Sequence, residues 1–289
     1  MKGVILAGGN GTRLAPCTNV IGKQLLPVFD KPMIYYPIST LIHAGVEEIL
    51  IICKPTEVEL FKTLLGDGSQ FGISVAYKVQ ESPAGIAQGM QLADGFVQKE
   101  SFWFILGDNF FHGPTFGGEL KNFNLNQGAS IFAYRVKDPT QYGVITFTTD
   151  SDEISEIEEK PLLAKSPWAI PGLYFFDNTA IKRASECVPS ARGELEIIDV
   201  LKSYLAQGKL SAQKISRGNT WLDLGTSESL ATATEFVRLI QERQGLIIGS
   251  PEEAAFASEL ISSDQIINVA SKYPSSDYYQ KLVSSLSRK

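Results

Sequence analysis

The sequence predicts an α/β fold, in which a Rossmann-like, mixed and mainly parallel sheet carries a helical C-terminal appendage. Its N-terminal third alternates short apolar runs with helix-like segments, the pattern of parallel strands joined by helical crossovers. The first apolar run ends in glycines at Gly8, which is typical of a strand that leads into a loop. From Pro251 onward the chain shows only short amphipathic helical patterns. With 289 residues, 44% of them hydrophobic, the chain can bury a large core.

In the first half, strands are predicted where apolar runs are bounded by glycine, proline or charged residues. They are Lys2–Ala7, Glu48–Cys53, Ser74–Val79, which alternates, and Phe102–Leu106. Apolar residues at helical spacing predict the helices between them. These are Met33–Ala44, with Pro37 in an early turn or at a kink, Glu57–Leu65, which ends before Gly66, and Ala84–Ala93. In a sheet built this way, ligands bind at the carboxyl ends of the strands.

The second half of the chain is less regular. Its predicted strands are Ser130–Val136, Val144–Phe147, Glu153–Ile157 and Tyr174–Phe176. Its predicted helices are Glu194–Gln207 and Ser227–Gln244. No repeat, low-complexity linker or charge block divides the sequence, so domain boundaries are weakly marked. We predict an α/β core at residues 1–245 and a helical appendage at residues 246–289.

Composition excludes several classes of protein. A net charge of −6 argues against a general binder of nucleic acid or of anionic membranes. No apolar run approaches the roughly 18 residues that a transmembrane helix needs. The cysteines, Cys17, Cys53 and Cys187, are odd in number and far apart, which favours a reduced cytoplasmic compartment over disulfides or a metal site. Because His43 and His112 are the only histidines, a histidine-rich metal site or a serine–histidine triad is improbable.

The glycine-rich loop after the first strand is the strongest local signal. It reads Gly8-Gly9-Asn10-Gly11-Thr12-Arg13. Such a loop exposes backbone N–H groups that bind phosphate oxygens, and Arg13 adds a bidentate cation. A dinucleotide fingerprint would need glycine where Leu14 stands, and a Walker loop would need Gly-Lys-Ser/Thr. The alternative is a tight turn with a solvent-facing arginine.

Charged residues elsewhere complete a chemical pattern. Lys23 follows the loop closely enough to reach a polyphosphate, although such lysines are often solvated surface charges. Asp108 and Asp223 each follow a strand-like apolar run, where a carboxylate can hold Mg²⁺ or can cap a turn. Glu158-Glu159-Lys160-Pro161 and the segment around Arg192 are, taken alone, an ordinary charged turn and a capping segment. Together these residues predict phosphoryl or nucleotidyl transfer, which needs positioning and charge neutralisation but no protein nucleophile.

The motifs as a set resemble the sugar-1-phosphate nucleotidyltransferases, which have a GT-A-like fold. The resemblance covers the chain from Met1 to about Glu253. The matching segments are Gly8–Arg13, Gly22–Pro27, Asp30–Pro37, Gly107–Asn109, Glu158–Pro161 and Trp221–Asp223. The similarity is strongest to the members that act on dTTP and glucose 1-phosphate.

The resemblance implies a reaction and a place in metabolism. A phosphate oxygen of glucose 1-phosphate attacks the α-phosphorus of dTTP in line, giving dTDP-glucose and pyrophosphate. This is the first step of dTDP-L-rhamnose or related deoxysugar synthesis for cell-surface polysaccharide. Family members are usually homotetrameric. The composition predicts a cytoplasmic protein with neither a nucleic acid nor a membrane as a partner.

The resemblance also assigns roles to residues. Asp108 and Asp223 would hold Mg²⁺, and the catalytic set would be Arg13, Lys23, Asp108, Lys160 and Asp223. Nucleotide binding would involve Gly8, Gly9, Gly11, Thr12, Gln24, Gln80 and Gly85, with Gln80 and the Gly85 backbone reading the base. Binding of the sugar phosphate would involve Asn109, Gly143, Glu158, Lys160 and Arg192.

The sequence departs from the family pattern at Ala15, where tyrosine or histidine is usual, at Gly22, where serine is usual, and at Leu224, where threonine is usual. None of these changes removes a charged catalytic group. Two alternatives remain open: the same chemistry with UTP or another sugar 1-phosphate, and a non-catalytic homologue that binds sugar nucleotides. The joint presence of Arg13, Lys23, Asp108, Lys160 and Asp223 favours an active enzyme, since a binder has no need of both aspartates.

Overall fold

A mixed sheet of ten strands runs through the centre of the molecule. The computed structural model describes residues 1–121, 123, 127–149 and 151–286. The strands within these residues are β1 (Lys2–Leu6), β2 (Pro27–Val28), β3 (Lys31–Pro32), β4 (Glu48–Cys53), β5 (Ser74–Val79), β6 (Phe102–Leu106), β7 (Asn109–His112), β8 (Ala129–Arg135), β9 (Gly143–Phe147), β10 (Ile154–Glu159), β11 (Trp168–Ile170), β12 (Leu173–Phe176), β13 (Leu210–Lys214) and β14 (Thr220–Asp223). The α-helices are α1 (Tyr35–His43), α2 (Val58–Leu65), α3 (Ile86–Leu92), α4 (Asp94–Val97), α5 (Phe116–Lys121), α6 (Ala180–Ser185), α7 (Ile197–Leu205), α8 (Ser227–Gln244), α9 (Pro251–Ala257), α10 (Ser263–Ala270) and α11 (Asp277–Leu286).

The order of strands in the central sheet is β10-β9-β11-β8-β12-β6-β1-β4-β5, and β13 also pairs with β8. β1 lies parallel to both β4 and β6, and β4 lies parallel to β5. β12 joins β6 in the antiparallel direction. The predicted α/β class, with a mixed sheet and a helical C-terminal region, is confirmed. Because the chain leaves β1 toward β4 and later returns to its other side at β6, the switch point of the fold lies between β1 and β6, where a ligand crevice is expected.

Helices cover both faces of the sheet, because consecutive strand residues are buried on opposite sides. In β1, Val4 packs in an apolar cluster with Met90 of α3 and Leu201 of α7. Its neighbour Ile5 belongs to the opposite cluster, which includes Leu41 of α1. The strand ends are therefore held rigidly between two helical layers.

The C-terminal helices are built into one of these two layers. Ala254 of α9 and Leu282 of α11 belong to the same apolar cluster as Leu41. The buried Tyr278 hydroxyl donates to Glu252 Oε2 at 2.6 Å, which ties α11 to α9. The boundary at residue 245 is thus not marked by a separate core, and it stays a prediction. Residues 287–289 of the predicted appendage lie outside the described residues.

The predicted helix Glu194–Gln207 begins only at Ile197. Leu195 instead makes backbone hydrogen bonds with Ala84 at 2.8 Å and with Ala87 at 3.0 Å. This pairing holds residues 194–196 out of the helix and brings them beside the loop that precedes α3. Within the described part of the chain, no helix is long and apolar enough to cross a bilayer.

Candidate active site

Two adjoining clefts open at the switch point between β1 and β6. The loop cleft, of about 410 Å³, is lined by the glycine-rich loop, Lys23, Gln80 and Gly85. The strand cleft, of about 160 Å³, is lined by Asp108, Asn109, Gly143, Glu159, Trp221 and Asp223, among others. Arg13, Ile86 and Lys160 line both clefts, so the two spaces meet at these side chains.

The glycine-rich loop is built so that glycine is required at two positions. Gly11 has a φ of +61°, and Thr18 Oγ1 donates to its carbonyl oxygen at 2.8 Å. A β-carbon at Gly8 would overlap Gln80 Oε1. The chain then turns through the 3₁₀ segment Thr12–Leu14, which exposes Arg13. Gly9, Gly11, Thr12 and Arg13 all line the loop cleft, whereas Gly8 does not.

Asp108 and Asp223, far apart in sequence, are brought together by two short strands. β7 and β14 pair in the antiparallel direction, with Asn109 opposite Asp223. The Leu224 N–H donates to the Asp108 carbonyl at 2.9 Å. Lys23 Nζ forms an ion pair with Asp108 Oδ2, which places the lysine at the same edge. The three predicted catalytic groups therefore share one site.

The two carboxylates have opposite electrostatic environments. Burial would raise the pKa of Asp108, but the ion pair with Lys23 and the Asn109 amide lower it below its usual value. Burial, and then the Asp108 charge, raise the pKa of Asp223 to about 6. Two facing carboxylates that repel each other fit a divalent cation, and carboxylate oxygens are ligands that Mg²⁺ prefers. Among the described residues no group of three or more acidic, histidine or cysteine side chains is arranged to hold a metal ion. Mg²⁺ commonly takes one or two carboxylates with water and phosphate.

Asn109 is buried in the site, and its side chain makes three hydrogen bonds. Its Oδ1 accepts from Trp221 Nε1 at 2.6 Å and from the Gly172 N–H at 3.0 Å. Its Nδ2 donates to Asp108 Oδ1 at 3.2 Å. Asn109 thus lines the strand cleft as predicted, and its hydrogen bonds also orient the Asp108 carboxylate.

The prediction for Glu158 is corrected by the register of β10. Strand β10 continues to Glu159, which pairs with Gly143 of β9. Because side chains alternate along a strand, Glu158 lies on the face of Glu156, and its Oε2 is 3.9 Å from Lys165 Nζ. Glu159, on the other face, lines the strand cleft together with Gly143. Glu159 therefore occupies the place predicted for Glu158.

Glu159 also forms ion pairs with two cationic side chains near the junction of the clefts. Its Oε1 lies 3.6 Å from Lys160 Nζ and 3.1 Å from Arg192 Nη2. Arg192 also pairs with Glu196 at 2.9 Å, and it lines a neighbouring cleft beside Lys160 and neither of the two main clefts. Lys160 lies where both spaces meet, whereas Arg192 approaches them only through Glu159.

Gln80 lies at the floor of the loop cleft and is 2% exposed. Its Nε2 donates to Gln88 Oε1 at 2.7 Å, and that oxygen also accepts from the Ala84 N–H. This arrangement directs Gln80 Oε1 toward Gly8. At Gly85, φ is +108°, and a β-carbon there would lie 2.6 Å from the Leu195 nitrogen, so a side chain would not fit.

Gln24, by contrast, does not line either cleft. It is 1% exposed, and its Cγ lies beneath Gly107, where a β-carbon would be 3.0 Å away. The 3₁₀ turn Lys23–Leu25 directs these successive side chains apart, so Lys23 reaches Asp108 while Gln24 turns inward. The predicted nucleotide contact through Gln24 is therefore not supported by its position.

Comparison with known proteins agrees with this architecture. The sequence profile of the nucleotidyl transferase family matches residues 2–239. The chain belongs to the nucleotidyl transferase family. It is 47% identical over 288 residues to the glucose-1-phosphate thymidylyltransferase of Mycolicibacterium smegmatis, covering 100% of both chains. It is 48% identical over 284 residues to the protein of that name from Neisseria meningitidis, covering 98% of each.

Solved structures resemble this nucleotidyl transferase in fold. A Bacillus anthracis protein, named provisionally as a glucose-1-phosphate thymidylyltransferase and solved with a sucrose, is 39% identical with a TM-score of 0.76. The likeness covers 82% of this chain and 95% of that one. A UDP-glucose pyrophosphorylase complexed with UDP-glucose, at 23% identity and a TM-score of 0.73, covers 82% and 98% and shows the fold alone.

Three further residues shape this nucleotidyl transferase site and are not among those predicted from sequence. Gln88 fixes the amide of Gln80, and Trp221 fixes the amide of Asn109. Glu159 belongs to the Glu158–Pro161 motif, and it lines the strand cleft. A glutamine eight residues after Gln80, at the third position of α3, carries no signal by itself. The alternation of side chains along β10, by contrast, could have identified Glu159.

We expect Asp223→Asn to stabilise the metal-free nucleotidyl transferase, and to do so more at pH 8 than at pH 5. The pKa of Asp223 is about 6 in the folded protein against an ordinary 3.8, so between these values the folded state binds more protons than the unfolded state. The contribution of this carboxyl to the free energy of unfolding therefore falls as the pH rises through the folded pKa. The asparagine variant lacks this dependence.

The measurement is urea unfolding in the presence of a chelator at both pH values. Asp264→Asn, at an exposed position in the first turn of α10, is the control and should show no such pH-dependent difference. A variant at position 223 that is less stable than the unmodified protein at pH 8 would contradict the assigned environment of Asp223.

Proposed function

We propose that this enzyme transfers the thymidylyl group of dTTP to glucose 1-phosphate, forming dTDP-glucose and releasing pyrophosphate. The observation that carries the proposal is the meeting of the two clefts at Arg13 and Lys160, beside the Asp108–Asp223 pair. The loop cleft offers backbone amides and cations, which suit a triphosphate. The strand cleft offers carboxylate and aromatic groups, which suit a sugar. The names of the full-length relatives support this choice of substrates.

In the proposed reaction, a phosphate oxygen of glucose 1-phosphate attacks the α-phosphorus of dTTP as the bond to pyrophosphate breaks. The protein positions two anions and offsets their charge, and it supplies no nucleophile. Arg13, with the loop amides, would hold the departing phosphates. Lys160, at the junction of the clefts, would neutralise the sugar phosphate. Lys23 would lie between the triphosphate and the Asp108 carboxylate.

We further propose that Asp108 and Asp223 hold Mg²⁺. When bound, the cation would stabilise negative charge on the α-phosphate and on the leaving group. Asn109 and Lys23 keep the Asp108 carboxylate ionised and oriented through their hydrogen bond and ion pair. The raised pKa of Asp223 fits a carboxylate whose charge awaits a counter-cation.

We expect dTTP to be the preferred nucleotide, UTP a measurable second, and CTP and purine nucleotides poor. Gln80 Oε1 would accept the imide N–H that thymine and uracil share and that cytosine lacks. The thymine methyl adds roughly 0.8 kcal/mol of burial, or about fourfold. The assay measures pyrophosphate release from each nucleotide with glucose 1-phosphate, and the same assay with other sugar 1-phosphates tests the sugar.

Gln80→Leu, which keeps the bulk and removes the amide, should lower kcat/KM for dTTP by about 1–3 kcal/mol, or roughly 5- to 150-fold, and reduce discrimination against CTP. The exposed Gln70→Leu should change neither quantity. CTP or GTP as the best substrate would refute the role of Gln80. Failure to form dTDP-glucose from dTTP and glucose 1-phosphate would refute the proposed function.

We also propose a cytoplasmic homotetramer that opens dTDP-L-rhamnose or related deoxysugar synthesis for cell-surface polysaccharide. Family resemblance supports this proposal, and the acidic net charge of −6 agrees with the expectation of neither a nucleic-acid nor a membrane partner. Light scattering on the purified protein tests the assembly, which should have four times the 31.6 kDa mass of one chain.

A further inference from the structure

A buried carboxylate lies directly against the backbone of the residue before Lys23. Gly22 has no side chain, and a β-carbon at this position would lie 2.5 Å from Glu57 Cδ and 2.7 Å from Glu57 Oε2. No real β-carbon approaches other atoms so closely, so the Glu57 carboxylate occupies the space that a side chain at position 22 would need. Glu57 is 2% exposed.

The negative charge of the buried Glu57 carboxylate is only partly balanced by neighbouring groups. Its Oε1 lies 2.8 Å from Lys54 Nζ, three residues earlier. Its Oε2 is buried and accepts no hydrogen bond within the described residues. Burial raises the pKa of Glu57, and Lys54 opposes that shift. Burying a carboxylate with only one of its two oxygens paired costs stability.

What Glu57 touches is the start of the turn that carries Lys23. The 3₁₀ turn Lys23–Leu25 follows Gly22 directly, and its first side chain forms the ion pair with Asp108. The Gly22 carbonyl accepts from the Leu25 N–H at 3.0 Å, which closes the turn. The position of the Gly22 backbone therefore determines where the Lys23 side chain begins.

We propose that Glu57 is a positioning residue for Lys23, acting by its volume: it packs against Gly22 and fixes the turn so that Lys23 reaches Asp108 and the nucleotide phosphates. This inference rests on the proposed function, because the triphosphate is the anion that Lys23 would meet. It concerns a residue outside both clefts, at the end of the segment that follows β4.

The contact between Gly22 and Glu57 can be tested by substitutions on either side. Gly22→Ser adds a β-carbon and a hydroxyl into the carboxylate, so the backbone or Glu57 must move. Glu57→Asp withdraws the carboxylate by one methylene and leaves a gap over Gly22. In the double variant, the atoms added at position 22 fill the space left by the methylene removed at position 57. The serine hydroxyl would then donate to the carboxylate oxygen that lacks a partner.

The experiment measures kcat and KM for both substrates, and dTTP affinity by calorimetry without turnover, in the single and double variants. Glu57→Asp and Gly22→Ser should each raise KM and Kd for dTTP about tenfold, since small displacements of a positioned group carry large costs. KM for glucose 1-phosphate should change little. The double variant should recover dTTP affinity to within about threefold, a coupling that independent sites would not show.

Two further variants separate volume from charge and from general stability. Glu57→Gln keeps the shape, and it should leave the dTTP KM near that of the unmodified enzyme. Glu59→Asp, at an exposed position on α2, is the matched control and should change nothing.

The inference is overturned if the loss of dTTP affinity in the double variant equals the sum of the losses in the single variants. It is also overturned if Glu57→Asp lowers the melting temperature with dTTP affinity unchanged. If the unmodified protein forms no dTDP-glucose, the proposed function fails, while the dTTP affinities still decide the role of Glu57.

Discussion

Asp108→Asn and Asp223→Asn should each lower turnover with Mg²⁺ about 1,000-fold while leaving the protein folded. A metal ion that offsets charge on a reacting phosphate contributes several kcal/mol to transition-state stabilisation, and about 4 kcal/mol corresponds to this factor. Both side chains lie at the edge where β7 and β14 pair, outside the apolar clusters. Pyrophosphate release at saturating dTTP and glucose 1-phosphate is the measurement, and a chelator should abolish the activity until Mg²⁺ is restored.

Stability distinguishes loss of the metal site from loss of the fold. Asp223→Asn is expected to be more stable than the unmodified protein at pH 8 and yet inactive, a combination that unfolding cannot produce. Asp264→Asn, at a position that lines neither cleft, should retain both activity and stability. Turnover within about tenfold of the unmodified enzyme in either active-site variant would remove that aspartate from the metal site.

The parallel part of the fold could be predicted from sequence because β1, β4 and β6 are buried on both faces, while the edge strand β5 alternates buried and exposed residues at its start. The apolar runs at 2–7, 48–53, 74–79 and 102–106 coincide closely with β1, β4, β5 and β6. Such runs are determined by local composition, so a single sequence contains the information. The short strands β7 and β14 were not recognised as a pair, because their contact joins segments more than 100 residues apart. Their pairing depends on the tertiary structure rather than on either segment alone.

The site was predictable at the level of motifs and less so at the level of side-chain direction. Loop glycines and Asp108 follow strands whose ends the fold must place together, so their approach could be expected. Glu158 and Gln24 line neither cleft, since the direction of each side chain depends on the backbone at a single residue. A single residue of register decides which face of β10 a carboxylate takes, and that register is set by pairing with Gly143.

Glu159→Gln should lower kcat/KM for glucose 1-phosphate about 100-fold, whereas Glu158→Gln should change it less than about threefold. The first change removes a charged acceptor from the strand cleft and weakens the contacts of Glu159 with Lys160 and Arg192. Losing a hydrogen bond to a charged group costs about 1.5–3 kcal/mol, and the loosened cations add to it. The second change affects only a 3.9 Å approach to the exposed Lys165.

The two glutamates are a matched pair, adjacent in sequence and identical in chemistry, and they occupy opposite faces of β10 with different charged neighbours. KM for dTTP should be nearly the same in both variants, because neither side chain lines the loop cleft. Lys165→Met provides a second control, since it removes the partner of Glu158 and should leave sugar kinetics unaltered. Equal losses at both positions would mean that the strand cleft does not bind the sugar, and a larger loss at Glu158 would place the sugar on the opposite face of β10.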